Sequence, residues 1–392
     1  MYTGGNSANG DRKQDTNAIH AGVIRPGIRG AVIQPIFQSA NYEIHGDAEP
    51  GYIRYGNTPN HETLGAKIAA LEGVEAAVAG GSGMAAISSA ILSHVNAGDH
   101  IIAQNSLYGG TFHFLTAHLP KLGVTTTFVD PDDHDAWRSA LTPTTRLFWC
   151  ETLTNPLVQM PDLLGIAAFC KQHGIVSMID NTFATPLNFN PAAHGFDLIM
   201  HSASKYLNGH SDILAGVLAG SAKTIDRCNR SLRTIGGALD PHACYLLDRG
   251  LKTLGVRVRQ QCDSAAKIAE FLEVHPSVAQ VHFPGLKSSR SHERAKSLLR
   301  AFGGMLSFEV KGGVELADAM LSKLKIFTVA GSLGGAESLI CRPATASHRS
   351  VPRGERIAMG ISDALIRVSI GLEDPEDLMK DLDQALRAGA RA

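Results

Sequence analysis

The sequence predicts an α/β protein with a large, mostly parallel sheet domain and a smaller C-terminal α/β domain. Three observations predict it. Strands and helices alternate from about residue 61 to 220, a long helical period runs through 240–275, and a second group of strands separated by helical stretches follows.

In chain order, residues 1–15 (MYTGGNSANGDRKQD) are polar and glycine-containing and are expected to form a disordered tail. Residues 16–60 carry Pro26, Pro35, Pro50 and Pro59 among many glycines. That composition favours an extended arm, suited to lying across a neighbouring subunit, over a compact unit. From residue 61 HETLGAKIAALEG and residues 83–95 read as helices, DHIIAQ as a strand and 110–121 as a helix. VTTTFV and RLFWCE read as strands, LLGIAAFCKQHG as a helix, and IVSMID, DLIMHS and ILAGVLAG as strands. Apolar runs in alternation with helices imply parallel strands buried on both faces. The large domain is expected over 61–255 and the small one over 256–392, with the 240–275 helix passing between them. VAQVHF, GMLSFEV, KIFTVA and IRVSI read as the small domain's strands, and EDLMKDLDQALRAG as its last helix.

The most informative stretch is HSASKYLNGHSD, which delivers Lys205 from the end of a buried strand between Ser202 and Ser204. Such a lysine suits an enzyme that holds an aldehyde cofactor, pyridoxal 5'-phosphate, as a Schiff base and cradles its phosphate. Upstream, IVSMID ends in Asp180, followed by Asn181 and Thr182. A carboxylate at the carboxyl end of a buried strand sits where open α/β sheets bind ligands, and it needs a cationic partner. A protonated pyridine nitrogen is one, and holding it protonated keeps the ring an electron sink. An isolated aspartate after a strand is more often a helix cap, but its spacing from Lys205 outweighs that. GGSGMAAISSAILSHV places Ser82, Gly83 and Met84 at a helix N-terminus whose amides are open to an anion. LYGGT adds Tyr108, an aromatic able to stack on a ring.

Together these motifs resemble the trans-sulfuration enzymes, the pyridoxal-phosphate family of cystathionine γ-synthases, cystathionine γ-lyases, cystathionine β-lyases and methionine γ-lyases. The resemblance runs from QPIFQSANYEI to IRVSIGLEDPEDL and includes YIRYGNTPN, GSGMAA, LYGGT, ETLTNPL, DNT, the lysine motif and SLGGAESL. It implies the aspartate-aminotransferase-like fold, type I of the PLP-dependent transferases. It also implies that Lys205 binds the cofactor and shuttles protons, and that Tyr108 stacks on the ring and accepts a proton from the substrate amine. Arg367 is implied as the clamp for the substrate α-carboxylate, with Asn155 and Ser332 assisting. Tyr52 and Arg54 are implied to reach the phosphate of the neighbouring subunit's cofactor, with Tyr52 also near substrate. Active sites shared in this way imply a homo-oligomer, a homotetramer built from two active dimers.

Composition agrees without requiring this. The chain has 392 residues, 44% of them hydrophobic, enough for two domains and a large core. A net charge of −1 leaves no nucleic-acid or membrane footprint. Six scattered cysteines without a CxxC fit reduced thiols in the cytoplasm. Seventeen histidines invite a metal, but no HExxH occurs and none is expected.

Reaction type is less constrained. A leaving group at Cγ requires a second deprotonation at Cβ, so the base at 205 must reach both carbons. Gly331, just before SLGG, stands where the resemblance places a glutamate in cystathionine γ-synthases and γ-lyases, an aliphatic residue in methionine γ-lyases and an aromatic one in bacterial β-lyases. Gly110 stands where methionine γ-lyases commonly have cysteine. The expected activity is γ-elimination, or γ-replacement, on a sulfur-containing or homoserine-derived amino acid; elimination gives a 2-oxo acid and ammonia. Cystathionine γ-synthase or β-lyase activity is the alternative within the family, and an aminotransferase the alternative of another class. A catalytically silent cofactor-binding protein is disfavoured, because every expected catalytic side chain is present.

Overall fold

A computed structural model describes residues 12–46, 49–349 and 351–389. Most of the expected N-terminal tail, residues 1–11, lies outside the described residues; Gln14–His20 is a helix. The strands are β1 (Ala76–Gly80), β2 (His100–Gln104), β3 (Thr125–Val129), β4 (Thr145–Glu151), β5 (Val176–Asp180), β6 (Leu198–His201), β7 (Gly216–Gly220), β8 (Val278–His282), β9 (Met305–Val310), β10 (Thr328–Val329), β11 (Leu339–Cys341) and β12 (Leu365–Ser369). The chain falls into two compact units, each assembled from two stretches: Met1–Val95 with Asn190–Gly255, and Asn96–Phe189 with Val256–Ala392.

In the first unit β7 pairs antiparallel with β1 on one side and β6 on the other. Helix Pro59–Glu72 lies close against β1. A Cβ at Gly65 would come 2.7 Å from the Ala77 carbonyl, so only glycine permits this approach. Helix Ala222–Thr234, absent from the sequence reading, buries Ile225, Cys228 and Leu232 from one face. The long helical run expected over 240–275 is two helices, Pro241–Leu251 and Leu254–Glu273. Tight i to i−3 bonds, Lys252 N–H to Arg249 and Thr253 N–H to Gly250, break it between them.

The second unit contains a parallel sheet, β5-β4-β2-β3, and a mostly antiparallel sheet, β10-β11-β12-β9-β8. In the latter, period-two alternation divides the faces. Leu306 and Phe308 of β9 and Ile366 and Val368 of β12 join the core with Ile268, Leu272, Leu378 and Leu382 of two helices. Each such buried side chain contributes about 1.5–3 kcal/mol. Arg367, between Ile366 and Val368, therefore belongs to the opposite face, beside its register partner Ser307.

Two expectations in this unit change. The helix expected over 110–121 becomes Gly109–His113, a π-turn Phe114–His118 and a tight turn Leu119–Leu122, where Pro120 lacks an amide donor. The strand expected over KIFTVA shrinks to Thr328–Val329, because the amides of Lys325, Ile326 and Phe327 donate to the Asp381 carboxylate at 2.8–3.2 Å instead of to a neighbouring strand.

Candidate active site

The first unit carries the lysine and the expected phosphate cradle. His201, buried at the carboxyl end of β6, bonds through Nε2 to the Glu72 carboxylate of helix Pro59–Glu72, which anchors the strand end immediately before Ser202. From there the chain turns tightly, Lys205 N–H donating to Ser202 C=O at 3.1 Å and Gly209 N–H to Lys205 C=O at 2.8 Å. Lys205 is thus held on a compact, half-buried turn.

Ser82 caps helix Gly83–Leu92, its Oγ accepting the Ala85 N–H at 3.0 Å. The Gly83 and Met84 amides belong to the first turn, where no intrahelical acceptor exists. A Cβ on Gly83 would lie 2.9 Å from Ser202 Oγ, so glycine here lets the serine hydroxyl approach the helix N-terminus. First-turn amides, a hydroxyl and a cradle that a Cβ would fill suit a phosphate dianion. Ser204 differs from expectation in its surroundings. Its Oγ accepts the Ala215 N–H at 2.8 Å and donates to Ala215 C=O at 3.2 Å, so the hydroxyl fastens the lysine turn to the segment entering β7. Tyr52 and Arg54 lie on the turn Ile53–Tyr55 and its flank. The exposed Arg54 guanidinium sits 5.4 Å from the Tyr52 ring centre and 5.1 Å from that of Tyr55, and donates to Arg233 C=O.

The second unit carries the remaining predicted residues. Asp180 ends β5, its Oδ1 accepting the Thr182 N–H at 2.9 Å and the Thr182 hydroxyl at 2.5 Å. Arg367 is 3% exposed; Nη1 donates to Asn155 Oδ1 at 3.1 Å and Nη2 to Ser332 C=O at 3.0 Å. Ser332 holds a φ of 71°, a conformation disfavoured for serine, and presents its carbonyl to the guanidinium. The three residues expected to hold a carboxylate are therefore together. Tyr108, 38% exposed, stands at the N-terminus of helix Gly109–His113. Gly331 is exposed and lines a cleft of about 460 Å³ with Val329, Cys341, Arg342 and Thr345, and a Cβ there would meet nothing within 4 Å.

Two buried residues here escaped the sequence reading. Glu151 ends β4 in direct register with Asp180, and its Oε1 accepts the Tyr108 N–H at 2.6 Å while Oε2 accepts the Asn155 N–H at 3.1 Å. Burial, then the Asp180 carboxylate, push its carboxyl well above the ordinary range, and the two amides pull it back. The available signal was that RLFWCE, like IVSMID, is an apolar run closed by an acid. His348, in ATASHRS, is fully buried and 3.1 Å from Leu107 C=O through Nε2.

Burial, reinforced by Arg367 and Arg356 and opposed by the Leu107 and Asn155 carbonyls, lowers His348 from 6.5 to about 4. The unfolded chain thus binds the extra proton between those values. Stability from this group is complete above pH 6.5 and falls as pH drops through the window, by about 3 kcal/mol once below 4. Urea unfolding of His348→Gln is expected to lack that component between pH 6.5 and 4; a slope equal to wild type contradicts it.

Comparison with known proteins places these features. The family described as Cys/Met metabolism PLP-dependent enzyme matches residues 15–387. The chain is 41% identical to the cystathionine gamma-lyase of Bacillus subtilis (strain 168), over 95% of this chain and 99% of that protein. It is 42% identical to the cystathionine beta-lyase of Lactococcus lactis subsp. cremoris (strain MG1363), over 95% and 98%. Among solved structures, cystathionine gamma synthase from Xanthomonas oryzae pv. oryzae, in complex with aminoacrylate and cysteine, superposes with a TM-score of 0.94 at 35% identity, covering 97% of this chain and 99% of that one. The fold is accordingly the type I, aspartate-aminotransferase-like α/β fold. Near-equal identity to enzymes of different reaction leaves the individual activity to the site's own chemistry. The chain belongs to the Cys/Met metabolism family of enzymes that depend on pyridoxal 5'-phosphate, acting by elimination or replacement in sulfur amino-acid metabolism.

Proposed function

We propose that the enzyme eliminates the γ-substituent of a sulfur-containing or homoserine-derived amino acid, releasing a 2-oxo acid and ammonia. Pyridoxal phosphate, when bound, supplies an aldehyde carbon for an amine and a protonated ring that withdraws electrons from a neighbouring carbanion. Ser82, Gly83, Met84 and Ser202 hold its phosphate through amides and hydroxyls, and Ser204 keeps the lysine turn in place. Asp180, oriented by Thr182, holds the proton on the ring nitrogen. Lys205 would tether the aldehyde carbon and, once displaced from it by the substrate amine, would be free to take the proton from substrate Cα and, for loss at Cγ, from Cβ. Tyr108 covers the ring, excludes water and accepts a proton from the substrate amine. Arg367, braced by Asn155 and Ser332, grips the α-carboxylate and fixes which Cα bond faces the base.

Gly331 carries the preference for elimination. It puts no carboxylate beside Ser332 to take the distal ammonium of a second amino-acid moiety, so a cystathionine-forming role is less well equipped. Incubation with cystathionine, homocysteine, methionine, cysteine and O-acylhomoserine plus cysteine tests this by product. A thioether from the last pair, without oxo acid, points to replacement, and accumulation of pyridoxamine phosphate points to an aminotransferase. Gly331→Glu has room at its Cβ and is expected to raise kcat/KM for cystathionine about two- to fivefold, as exposed charge pairs do, with methionine unaffected. An equal change for both substrates rejects a role for position 331 in reading the distal group.

The reading includes a homotetramer of two dimers in which Tyr52 and the exposed Arg54 reach the phosphate of the neighbouring subunit's cofactor. It also includes a cytoplasmic location, supported by six buried cysteines that form no disulfide. No helix among the described residues is long and apolar enough to cross a membrane.

A further inference from the structure

The peptide group joining Leu107 to Tyr108 is held on both of its polar atoms by buried titratable side chains. Its carbonyl, on Leu107, receives the His348 ring at 3.1 Å. Its N–H, on Tyr108, donates to Glu151 Oε1 at 2.6 Å. A carbonyl only accepts, so His348 Nε2 carries the hydrogen, and Ser347 Oγ lies 3.0 Å from Nδ1 on the other side of the ring. Neither group stops at this peptide. Glu151 Oε2 also takes the Asn155 N–H, Asn155 Oδ1 takes Arg367, and the Arg367 charge acts on His348. Gln104, itself buried, fixes the Glu151 backbone by accepting its N–H at 3.0 Å. Neutral amides could satisfy the same peptide at lower desolvation cost, so the choice of a carboxyl and an imidazole calls for a reason.

We propose that Glu151 and His348 are positioning residues that grip the Leu107–Tyr108 peptide from both sides and lock the Tyr108 ring to the Arg367–Asn155 pair that receives the substrate carboxylate. A carboxyl group is suited because it alone offers two acceptor oxygens on one short arm, one for each loop. A glutamine would turn an NH2 toward one of the two amides and lose that bond. Occupation of Arg367 by a carboxylate then tightens the loop that carries Tyr108, although neither Glu151 nor His348 touches the substrate. The inference rests on the reading of Arg367 and Tyr108 given above.

Glycine is the probe, since it has the amine and carboxylate but no leaving group, and binding is followed by the holoenzyme's visible absorption. Glu151→Gln and His348→Leu are expected to bind glycine about tenfold more weakly than wild type at unchanged cofactor content, the usual effect of stranding a buried polar group. His348→Gln, which restores an N–H donor, is expected to recover most of that loss. In wild-type enzyme, hydrogen exchange of peptides covering 105–109 and 153–156 is expected to slow together when glycine binds. Wild-type affinity in Glu151→Gln or His348→Leu, or failure of His348→Gln to recover, overturns the inference. So does protection confined to one of the two segments, a result that decides the matter even if a variant does not fold. A wild-type spectrum indifferent to glycine overturns the cofactor reading and this inference with it, and is distinguishable because it precedes any substitution.

Discussion

Lys205→Ala is expected to lower kcat by about 10³- to 10⁴-fold or more, because it removes the proposed covalent tether and base together. The tight turn around it depends on backbone bonds at Ser202, Lys205 and Gly209, none of which the substitution touches, so the variant should fold. The groups proposed to hold the phosphate, at Ser82, Gly83 and Ser202, are likewise untouched. Cofactor is therefore expected to bind the variant reversibly and wash out on dialysis. Borohydride reduction of wild type followed by peptide mass mapping checks the tether directly. A pyridoxyl adduct on any lysine other than 205 refutes the assignment of every residue around it.

The second large effect is expected at Asp180. In Asp180→Asn the side chain keeps its shape, and its carbonyl oxygen can still accept from the Thr182 amide and hydroxyl. What disappears is the negative charge proposed to hold a proton on the ring nitrogen. A pair of unit charges about 4 Å apart at the effective dielectric of a protein site is worth about 4 kcal/mol, which corresponds to about a 10³-fold loss of kcat. Cofactor content should change little. Activity within tenfold of wild type would mean that this carboxylate does not serve the ring. Glu151, whose carboxyl is raised partly by Asp180, should then ionise more easily in the variant.

Much of this was legible because the chemistry is written locally. A lysine after DLIMHS, an acid closing IVSMID and glycines opening a helix are each set by a few neighbouring residues, and period-two and helical patterns mark the elements that carry them. The misreadings share a cause. KIFTVA has the composition of a strand but loses its amides to Asp381, a residue far along the chain. The 240–275 run keeps a helical period through a break that only the bonds at Lys252 and Thr253 reveal.

The sequence by itself determined the fold class, the family and its cofactor, because each is carried by short patterns, and it nominated Lys205, Asp180 and Arg367 for the roles proposed above. Tertiary structure alone decided that Glu151 stands in register with Asp180, that His348 reaches Leu107, and that Arg367, Asn155 and Ser332 meet. Those contacts join strands and loops that are distant in the chain. Parallel register and strand-face alternation bring them together, and neither leaves a mark on the local composition.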